Sequence, residues 1–344
     1  MRFKTSVRNI QTFSKLTASL SSLGKVAWVR LDDNGVRFTI IPETGTQVWA
    51  SLSIDSIFED YTIQSAAADN TINIELPLPP LHRALKSAIN ASTAGIRLTK
   101  RDGIPVLSLT VTTNAVMHGK SANILGGESG AADPFREGFR EKSLDANMRR
   151  DGEAIVTQDI HIRILAADSV EGIHEPRVRE PDVHIMLPSL IQLKAISERF
   201  TNLAMATASG GTRGVSGGNI PKLELSANMH GSLRLSIATN ALNISSVWTG
   251  LNNPDLDPRQ IEDGDDGVEN HPATKQKAAG PDAWATVRID GRDWGKVLSV
   301  GRLGGRVIAC FVNDQALILY VYLDNYDDVG DESVLTYYIS SFSA

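Results

Sequence analysis

The sequence predicts an α+β protein of two similar lobes, each with two helices packed on antiparallel sheets. A helix followed by a two-stranded hairpin occurs twice, once at Leu76–Thr112 and again near the C-terminus. In both copies the helix separates apolar residues from basic ones, which is typical of a helix lying on a sheet. Short alternating runs of apolar and polar residues, with turn signals between them, predict the remaining strands.

The helices of this repeated unit have two chemically different faces. In the first copy, Leu78, Leu81 and Leu85 recur at helical spacing, whereas Arg83 and Lys86 project from the other side with no acid in the helix. Such a helix can pack on a sheet and present positive charge outward. In the second copy, the apolar positions are Trp294, Val297 and Leu298, and the basic positions are Arg292 and Lys296.

The first predicted lobe covers residues 1–113. It begins with an alternating strand, and the helix that follows ends at Gly24, in the C-terminal position that glycine favours. An Asp-Asn-Gly sequence then predicts a hairpin turn. In chain order the predicted elements are a strand at Arg2–Val7, a helix over 9–23, strands at Val26–Leu31, Val36–Ile41, Thr46–Ile54, Ser56–Gln64 and Thr71–Leu76, a helix over 78–91 and the hairpin.

Residues 114–153 are rich in Gly, Ala, Ser and charge and have few bulky apolar groups, so they predict a flexible interdomain connector. The second lobe is expected over residues 154–344, with a polar insertion at 249–281. Its predicted elements are strands at Ile155–Leu165 and within EPDVHIMLP, a helix over 189–205, strands at Lys222–Ala227, Ser232–Ala238, Leu242–Trp248 and Ala283–Ile289, a helix over 290–302 and three C-terminal strands.

The four predicted helices have a positive net charge in an otherwise acidic chain. The formal net charge is −6, whereas eight cations and three acids give the helices +5, so the remainder carries −11. One interpretation is a surface that meets a polyanion, and the other is a set of solvated amphipathic helices. The cations are Lys15, Arg83, Lys86, Lys194, Arg199, Arg292, Lys296 and Arg302, and the acids are Glu198, Asp290 and Asp293.

The paired order of elements resembles the sliding-clamp fold of proliferating-cell nuclear antigen, in which each half of a subunit places two helices inside a ring. Several stretches narrow the match to the Hus family of subunits in the heterotrimeric DNA-damage checkpoint clamp, the nine-one-one complex. The similar stretches are MRFKTSV, GTQVWASL, IFEDY, LHRALKSAINA, VTQDIHIRIL, EPDVHIMLPSL and LRLSIATNALNISSVW. The resemblance covers residues 1–113 and 154–344, whereas the connector, the Gly-rich loop near residue 214 and the insertion depart from the family.

This resemblance implies a non-catalytic subunit that forms a ring with two other clamp subunits in the nucleus. It also implies a clamp loader, double-stranded DNA held inside the ring without sequence specificity, and bound repair and checkpoint proteins. Sparse Lys and Arg suit a ring that slides, because phosphate contacts carry no sequence information. The DNA-facing residues are then the eight helix cations.

Ring formation by strand addition requires free sheet edges. By analogy with the fold, we expect these edges at the last strand of the first half and at one strand of the second-lobe meander. The alternative, that both are internal strands, stays open. The expected interface residues are Val106, Leu107, Ser108, Leu109, Thr110, Val111, Thr112, Leu242, Asn243, Ile244, Ser245, Ser246 and Val247.

The sequence offers no convincing catalytic pattern, and we expect no enzyme, no metal and no cofactor. Cys310, the single cysteine, is interpreted as a small core residue, with no His or acid placed near it by sequence. The Gly-Lys-Ser at 119–121 lacks the rest of a phosphate loop. His161 and His184 fit strand positions better than metal sites.

One cysteine and no apolar run of spanning length predict a protein of a reducing compartment, away from membranes. Two other functions remain open at this point. A homotrimeric replication processivity clamp would form the ring alone, and an enzyme would need a site between the two lobes.

Overall fold

The computed structural model describes residues 1–115, 152–208, 222–256, 264–323 and 333–342, apart from Thr44 and Ala68. Its strands are β1 (Arg2–Val7), β2 (Val26–Leu31), β3 (Gly35–Ile40), β4 (Gln47–Ser53), β5 (Phe58–Gln64), β6 (Ile72–Pro77), β7 (Thr93–Arg101), β8 (Ile104–Ala115), β9 (Gly152–His161), β10 (Arg163–Leu165), β11 (Val183–Met186), β12 (Leu223–Ala227), β13 (Leu233–Ala238), β14 (Asn243–Trp248), β15 (Ala285–Ile289), β16 (Val307–Val312), β17 (Ala316–Tyr322) and β18 (Val334–Ser340).

The helices are α1 (Ile10–Leu23), α2 (Ile54–Ile57), α3 (Leu78–Ser87), α4 (Ala167–Val170), α5 (Leu190–Ala208), α6 (Gly264–Asn270), α7 (Pro272–Ala278) and α8 (Gly291–Val297). A 3₁₀ segment, Leu298–Leu303, continues α8. The α+β class is therefore confirmed, and α1, α3, α5 and α8 correspond to the four expected helices. Two expected helices are modified: α3 ends at Ser87, and the helix expected over 290–302 is α-helical only to Val297.

Three antiparallel sheets carry the fold. The first is five-stranded in the order β5-β1-β7-β8-β9, and the third is four-stranded in the order β14-β13-β12-β15. The second is nine-stranded in the order β10-β6-β2-β3-β4-β18-β17-β16-β11, and so it takes strands from both halves of the chain. Its seam is the pairing of β4 with β18, from Ser51 opposite Val334 to Gln47 opposite Tyr338.

The start of α1 shows how the local sequence sets an element. The Asn9 side chain accepts a hydrogen bond from the Thr12 backbone N–H at 2.9 Å, which is the standard N-cap arrangement. At the other end, Gly24 has an extended backbone with φ of −148°. Glycine is required there by packing, because an added Cβ would lie 2.6 Å from Cγ2 of Ile40.

The strand pairing corrects the expected division into lobes. Gly152–His161, expected to lead into the second lobe, pairs along its whole length with β8 of the first sheet. Residues 116–151 therefore connect two neighbouring strands of one sheet, and they do not join the lobes. The chain passes from the first sheet to β11 through residues 162–182. The sequence predicted a strand on either side of this connector but could not show that the two strands pair with each other.

The polar insertion also holds more structure than its composition predicts. Within its described part, α6 and α7 follow one another, and Pro272 occupies the first turn of α7. The buried His271 caps α7 through Nδ1, which accepts the Ala273 backbone N–H at 3.1 Å. These contacts hold α7 against β11 at the edge of the nine-stranded sheet.

Candidate nucleic-acid interface and sheet edges

One continuous layer of helices lies across both halves of the chain. The first helix, α1, contacts α3 on one side and both α8 and the 3₁₀ segment on the other, and these in turn contact α5. The apolar residues Leu16, Leu81, Leu193 and Trp294 are buried between the helices and the sheets. The opposite surface of the layer is therefore the one available to a ligand.

Close packing between α5 and α8 depends on two glycines and one tryptophan. An added Cβ at Gly291 would overlap Oγ1 of Thr201, whereas one at Gly295 would lie 3.7 Å from Glu198 Oε1. Trp294 is fully buried, and its indole N–H donates to Ser197 Oγ at 3.2 Å. The absent side chains let the helix backbones approach closely, and the indole fixes their register.

Serine hydroxyls connect α1 to the end of α8. Ser22 Oγ lies 3.1 Å from Ser299 Oγ, and Ser19 Oγ lies 3.5 Å from the same atom. The Ser22 hydroxyl also contacts the Lys296 carbonyl oxygen at 3.3 Å. The junction between the two halves of the helix layer therefore includes a cluster of serine hydroxyls.

The structure places all eight predicted cations in this layer. Seven are exposed and Lys194 is half-buried. Lys194 pairs with Glu198 at 3.6 Å and Lys296 pairs with Asp293 at 2.9 Å, both near the surface, where such pairs contribute little. The Arg292 guanidinium lies 3.7 Å from Met205 Sδ.

Four of these cations converge on one groove between α5 and α8. The groove has a volume of about 430 Å³ and is lined by both glycines, by Glu198 and by residues of α1 and the 3₁₀ segment. The converging cations are Lys194, Arg292, Lys296 and Arg302. The other four predicted cations do not line the groove; they are Lys15, Arg83, Lys86 and Arg199. The predicted DNA-facing residues therefore form one cluster of four and four positions outside it.

Asp290 is the N-cap of α8, and its role is structural. Its Oδ1 accepts the backbone N–H groups of Arg292 and Asp293 at 2.9 and 3.3 Å, and Lys222 Nζ lies 3.4 Å from Oδ2. Burial alone would raise the Asp290 pKa, but these N–H groups and Lys222 outweigh it and lower the pKa. The carboxylate thus stays charged where α8 begins.

The expected interface strand of the first half is not an edge. Because β8 pairs with β7 on one side and β9 on the other, its backbone groups are used within the sheet. This corrects the expectation for Val106, Leu107, Ser108, Leu109, Thr110, Val111 and Thr112. The outer strand is β9, where Ile155 is 66% exposed and Val156 is 47% exposed.

The expected interface strand of the second half does lie on an edge. β14 pairs only with β13 in the four-stranded sheet, and its residues alternate between exposed and half-buried. Val247 is 52% exposed. Asn243, Ile244, Ser245, Ser246 and Val247 are therefore in a position to pair with another chain, and this interface role stays a prediction. Leu242 precedes β14, and its backbone N–H and carbonyl oxygen are hydrogen-bonded to Thr239.

Of the remaining edge strands, β15 and β11 are covered by local contacts, β5 is irregular, and β10 has only three residues. On β15, the Thr286 and Arg288 N–H groups bind the Asn313 and Ser341 side chains, and their carbonyls accept the Asp314 and Phe342 N–H groups. On β11, the Met186 N–H donates to the Asn252 carbonyl oxygen, and Asn253 donates to the His184 carbonyl oxygen. The β5 edge is bent, with Asp60 at φ of 51° and a shift in register against β1.

The buried cysteine has a histidine neighbour that the sequence did not reveal. Cys310 Sγ lies 3.3 Å from His184 Nδ1, because β11 pairs with β16. Burial raises the pKa of Cys310 to about 12, and burial together with His271 lowers the pKa of His184 to about 4. Both groups are neutral at pH 7, so the thiol lacks the thiolate form that a nucleophile requires.

Other expected features are located as follows. His161 and His184 lie in strands, as predicted. The Gly-Lys-Ser at 119–121 and the Gly-rich loop at 210–218 lie outside the described residues. Within the described ranges, no group of three or more His, Cys, Asp and Glu could hold a metal ion, and no helix is long and apolar enough to cross a membrane.

A cavity of about 450 Å³ on the nine-stranded sheet is lined by Trp28, Trp49 and Glu175, among others.

Comparison with known proteins places this geometry in a family. The fold matches the crystal structures of proliferating-cell nuclear antigen from Entamoeba histolytica (TM-score 0.57, 12% identity, 99% of each chain) and Thermococcus kodakaraensis (TM-score 0.57, 15% identity, 99% of this chain and 100% of that one). These likenesses show the sliding-clamp fold.

The sequence comparisons cover from about three quarters to nearly all of the chain. The chain is 35% identical to checkpoint protein hus1 of Schizosaccharomyces pombe over 99% of both chains. It is 24% identical to checkpoint protein HUS1 of Homo sapiens, over 74% of this chain and 76% of the human one. The family description "Hus1-like protein" matches residues 1–343. With a clamp fold and a match over nearly every residue, this chain belongs to the Hus1-like family.

Proposed function

We propose that this chain is the Hus1-type, non-catalytic subunit of a heterotrimeric checkpoint clamp that encircles DNA at damage sites. The observation that carries the proposal is the full-length match to the Hus1-like family on a sliding-clamp fold. The family also favours this function over a homotrimeric processivity clamp, because the curated relatives carry checkpoint names.

The ring is proposed to close through β9 and β14, since the other edges are bent, short or covered within the described residues. Each edge would pair with a different partner subunit, which is a head-to-tail contact that closes into a ring when the rotation permits. The exposed apolar residues Ile155 and Val156 on β9 would be covered by that contact. In this proposal β9 takes the place of β8 as the interface strand of the first sheet.

Light scattering after gel filtration tests the assembly, on this chain alone and mixed with its two candidate clamp partners. We expect a monomer that enters a 1:1:1 complex only when both partners are present. A particle of three times the chain mass, formed by this chain alone, would establish the homotrimeric alternative instead.

The edges can be tested separately. Ile155→Lys together with Val156→Lys places charge on the β9 edge, and we expect at least tenfold weaker assembly. The matched control is Asp60→Lys on the bent β5 edge, which should leave assembly unchanged. Equal assembly by both variants would exclude β9 as the interface.

The helix layer is proposed to face double-stranded DNA without sequence specificity. Its eight cations are few enough to hold phosphates weakly, so that ring closure, and not affinity, retains the DNA. Replacing Arg83, Lys86, Arg292 and Lys296 together by Ala should lower salt-sensitive DNA retention by the assembled ring. Retention that stays constant across a salt series would contradict this role.

Nuclear location, a clamp loader and bound repair and checkpoint proteins complete the proposal. They are supported by the family and not by a site described above. Retention on closed circular DNA, compared with and without a clamp loader and ATP, tests the loading step. Imaging of the tagged chain tests the location.

A further inference from the structure

A histidine caps the short helix α7, in a position where helices more often have a smaller polar residue. Asn, Asp, Ser and Thr are the common N-cap residues, and a side-chain oxygen then accepts the backbone N–H. In α7 the acceptor is Nδ1 of His271, which lies 3.1 Å from the Ala273 backbone nitrogen. Histidine ordinarily changes its charge between about pH 5 and pH 8. The cap of α7 therefore depends on a group that can gain a proton.

We propose that α7 is a proton-sensitive element, which opens from β11 when His271 is protonated. Because α7 packs against β11 at the edge of the nine-stranded sheet, its opening changes the surface of that edge. The inference goes beyond the proposed function, and it holds whether or not the chain acts in a checkpoint clamp.

The cap works in one protonation state of the imidazole. In neutral His271 the proton is on Nε2, because Nδ1 offers its lone pair to the Ala273 N–H. A second proton would go to Nδ1 and make it a donor that faces another donor at hydrogen-bond distance. The charged ring would also lie at the N-terminal end of a helix, where the helix dipole disfavours cations. Protonation therefore removes the contact that holds the first turn of α7.

The residues around His271 do not favour a charged ring. Its side chain is 5% exposed, so water can solvate little of the charge. The ring centroid lies 5.6 Å from that of His184 on β11, whose Nδ1 contacts the Cys310 thiol of β16. Burial and then the proximity of His271 lower the pKa of His184, so the two rings oppose each other's protonation. Neither β11 nor β16 places a negative charge against His271 at neutral pH.

One acid opposes the opening. Glu180, which precedes β11, has Oε2 at 3.9 Å from His271 Nε2. Its side chain is 60% exposed, and an ion pair at such an exposed position contributes little. The charged side chains described on α6 and α7 are Glu269, Lys275 and Lys277, all exposed. The lost cap and the buried charge therefore outweigh the attraction to Glu180.

Little else holds the start of α7 in place. A helix of seven residues is too short to be stable alone, and within Pro272–Ala278 the buried side chain is that of Ala273. The Thr274 hydroxyl donates to the Val268 carbonyl oxygen at 2.6 Å, which ties α7 to α6 and not to the sheet. Loss of the cap is therefore sufficient to release the first turn.

The C-terminal end of α7 responds differently to protons. His230 Nε2 lies 3.1 Å from the Lys277 carbonyl oxygen, to which it donates. Neutral and protonated imidazoles can both make this bond, and a positive charge is favoured at a helix C-terminus. Low pH therefore loosens α7 from its N-terminal end.

Hydrogen–deuterium exchange of the full chain tests the proposal, with mass spectrometry of peptides that cover residues 271–280. Protection is expressed relative to the exchange rate of an unstructured chain at the same pH. Between pH 7.5 and pH 5.5 we expect α7 to lose about tenfold in protection, while β16 and β17 stay the more protected elements. Constant protection of α7 would overturn the proposal, and so would exchange of α7 together with β16 and β17 at both pH values.

His271→Asn is the matched variant, because its amide oxygen can accept the same N–H at either pH. We expect no change in α7 protection between the two pH values. His271→Ala has no acceptor, so its α7 should be about tenfold less protected than the parent at pH 7.5, with no further loss at pH 5.5. A pH response in His271→Asn equal to that of the parent chain would overturn the proposal.

The neighbouring histidine is tested in the same way. His184→Gln removes the second imidazole but keeps the cap, so α7 should retain its response to pH. Loss of the response in His184→Gln would assign it to His184 and overturn the role of His271. Circular dichroism at pH 7.5 establishes that each variant is folded before its exchange is compared.

Discussion

The two halves of the helix layer reach similar positions by different packing. In the first half, α1 and α3 meet through aliphatic side chains such as Leu16, Leu20 and Leu81, all fully buried. In the second half, α8 approaches α5 through Gly291 and Gly295 and is fixed by Trp294. A leucine-packed pair leaves a filled surface, whereas a glycine-packed pair leaves a groove. The second half therefore has a groove at its surface, and the contact between its helices relies on one large side chain.

The largest expected effect comes from removing that side chain. Trp294→Ala should lower the free energy of unfolding by about 3–5 kcal/mol, because it leaves a large cavity between α5 and α8. Leu81→Ala, on α3, should cost about 2–5 kcal/mol, at the lower end if several leucines share the contact. Urea unfolding followed by circular dichroism measures both. A Trp294→Ala loss smaller than that of Leu81→Ala would remove the contrast between the two halves.

Low pH should lower the free energy of unfolding through protonation of His184 in the second half. Its pKa is about 4 in the folded chain, against an ordinary value of 6.5, because burial and His271 disfavour the charged ring, and its Nε2 has no hydrogen-bond partner among the described residues. As the pH falls, the unfolded chain binds this proton at a higher pH than the folded chain does. The stability associated with neutral His184 is therefore complete above pH 6.5. It is lost as the pH falls toward 4, by about 3 kcal/mol.

Unfolding at pH 7, 5.5 and 4.5 measures this loss, and His184→Gln supplies the comparison. The variant should lose less stability than the parent chain over the same interval. Parallel pH profiles for the two proteins would show that His184 is not the group responsible.

The smallest expected effect separates the two glycines. Gly291→Ala should destabilise the chain by about 1–3 kcal/mol, because its Cβ overlaps Thr201. Gly295→Ala has ordinary space and should be neutral or stabilising by up to about 1 kcal/mol through helix propensity. Thermal unfolding of both variants tests the difference. Equal melting temperatures would mean that the close approach at Gly291 is not what positions α8.

Local periodicity was sufficient for most of the fold. The strands predicted at Arg2–Val7 and Val26–Leu31 are confirmed with the same bounds, and α1 differs from its prediction by one residue. Alternation and capping are encoded by neighbouring residues, so they can be read directly. The eight helix cations were likewise placed in one layer because each lies on the polar side of its helix.

Long-range pairing could not be read in this way. The neighbour of β8 lies beyond residues 116–151, and nothing in either strand specifies its partner across that distance. The contact between Cys310 and His184 also depends on a pairing of distant strands. The groove could not be predicted, because the sequence does not show how closely α8 approaches α5. The two glycines permit a close approach but do not specify which helix packs against them. Site residues were therefore predicted one by one, and their grouping came from the structure.

The pairing of β4 with β18 affects the order in which the sheets can fold during synthesis. Gln47–Ser53 is made early, but its second neighbour, Val334–Ser340, is made almost 300 residues later. The first sheet can be completed once His161 has been made, whereas the nine-stranded sheet cannot be completed before Val334–Ser340 has been made. Until then β4 is an open strand on a nascent chain, the state in which unpaired edges aggregate. Loss of β18 would thus expose an aggregation-prone edge in the half of the protein that was translated first.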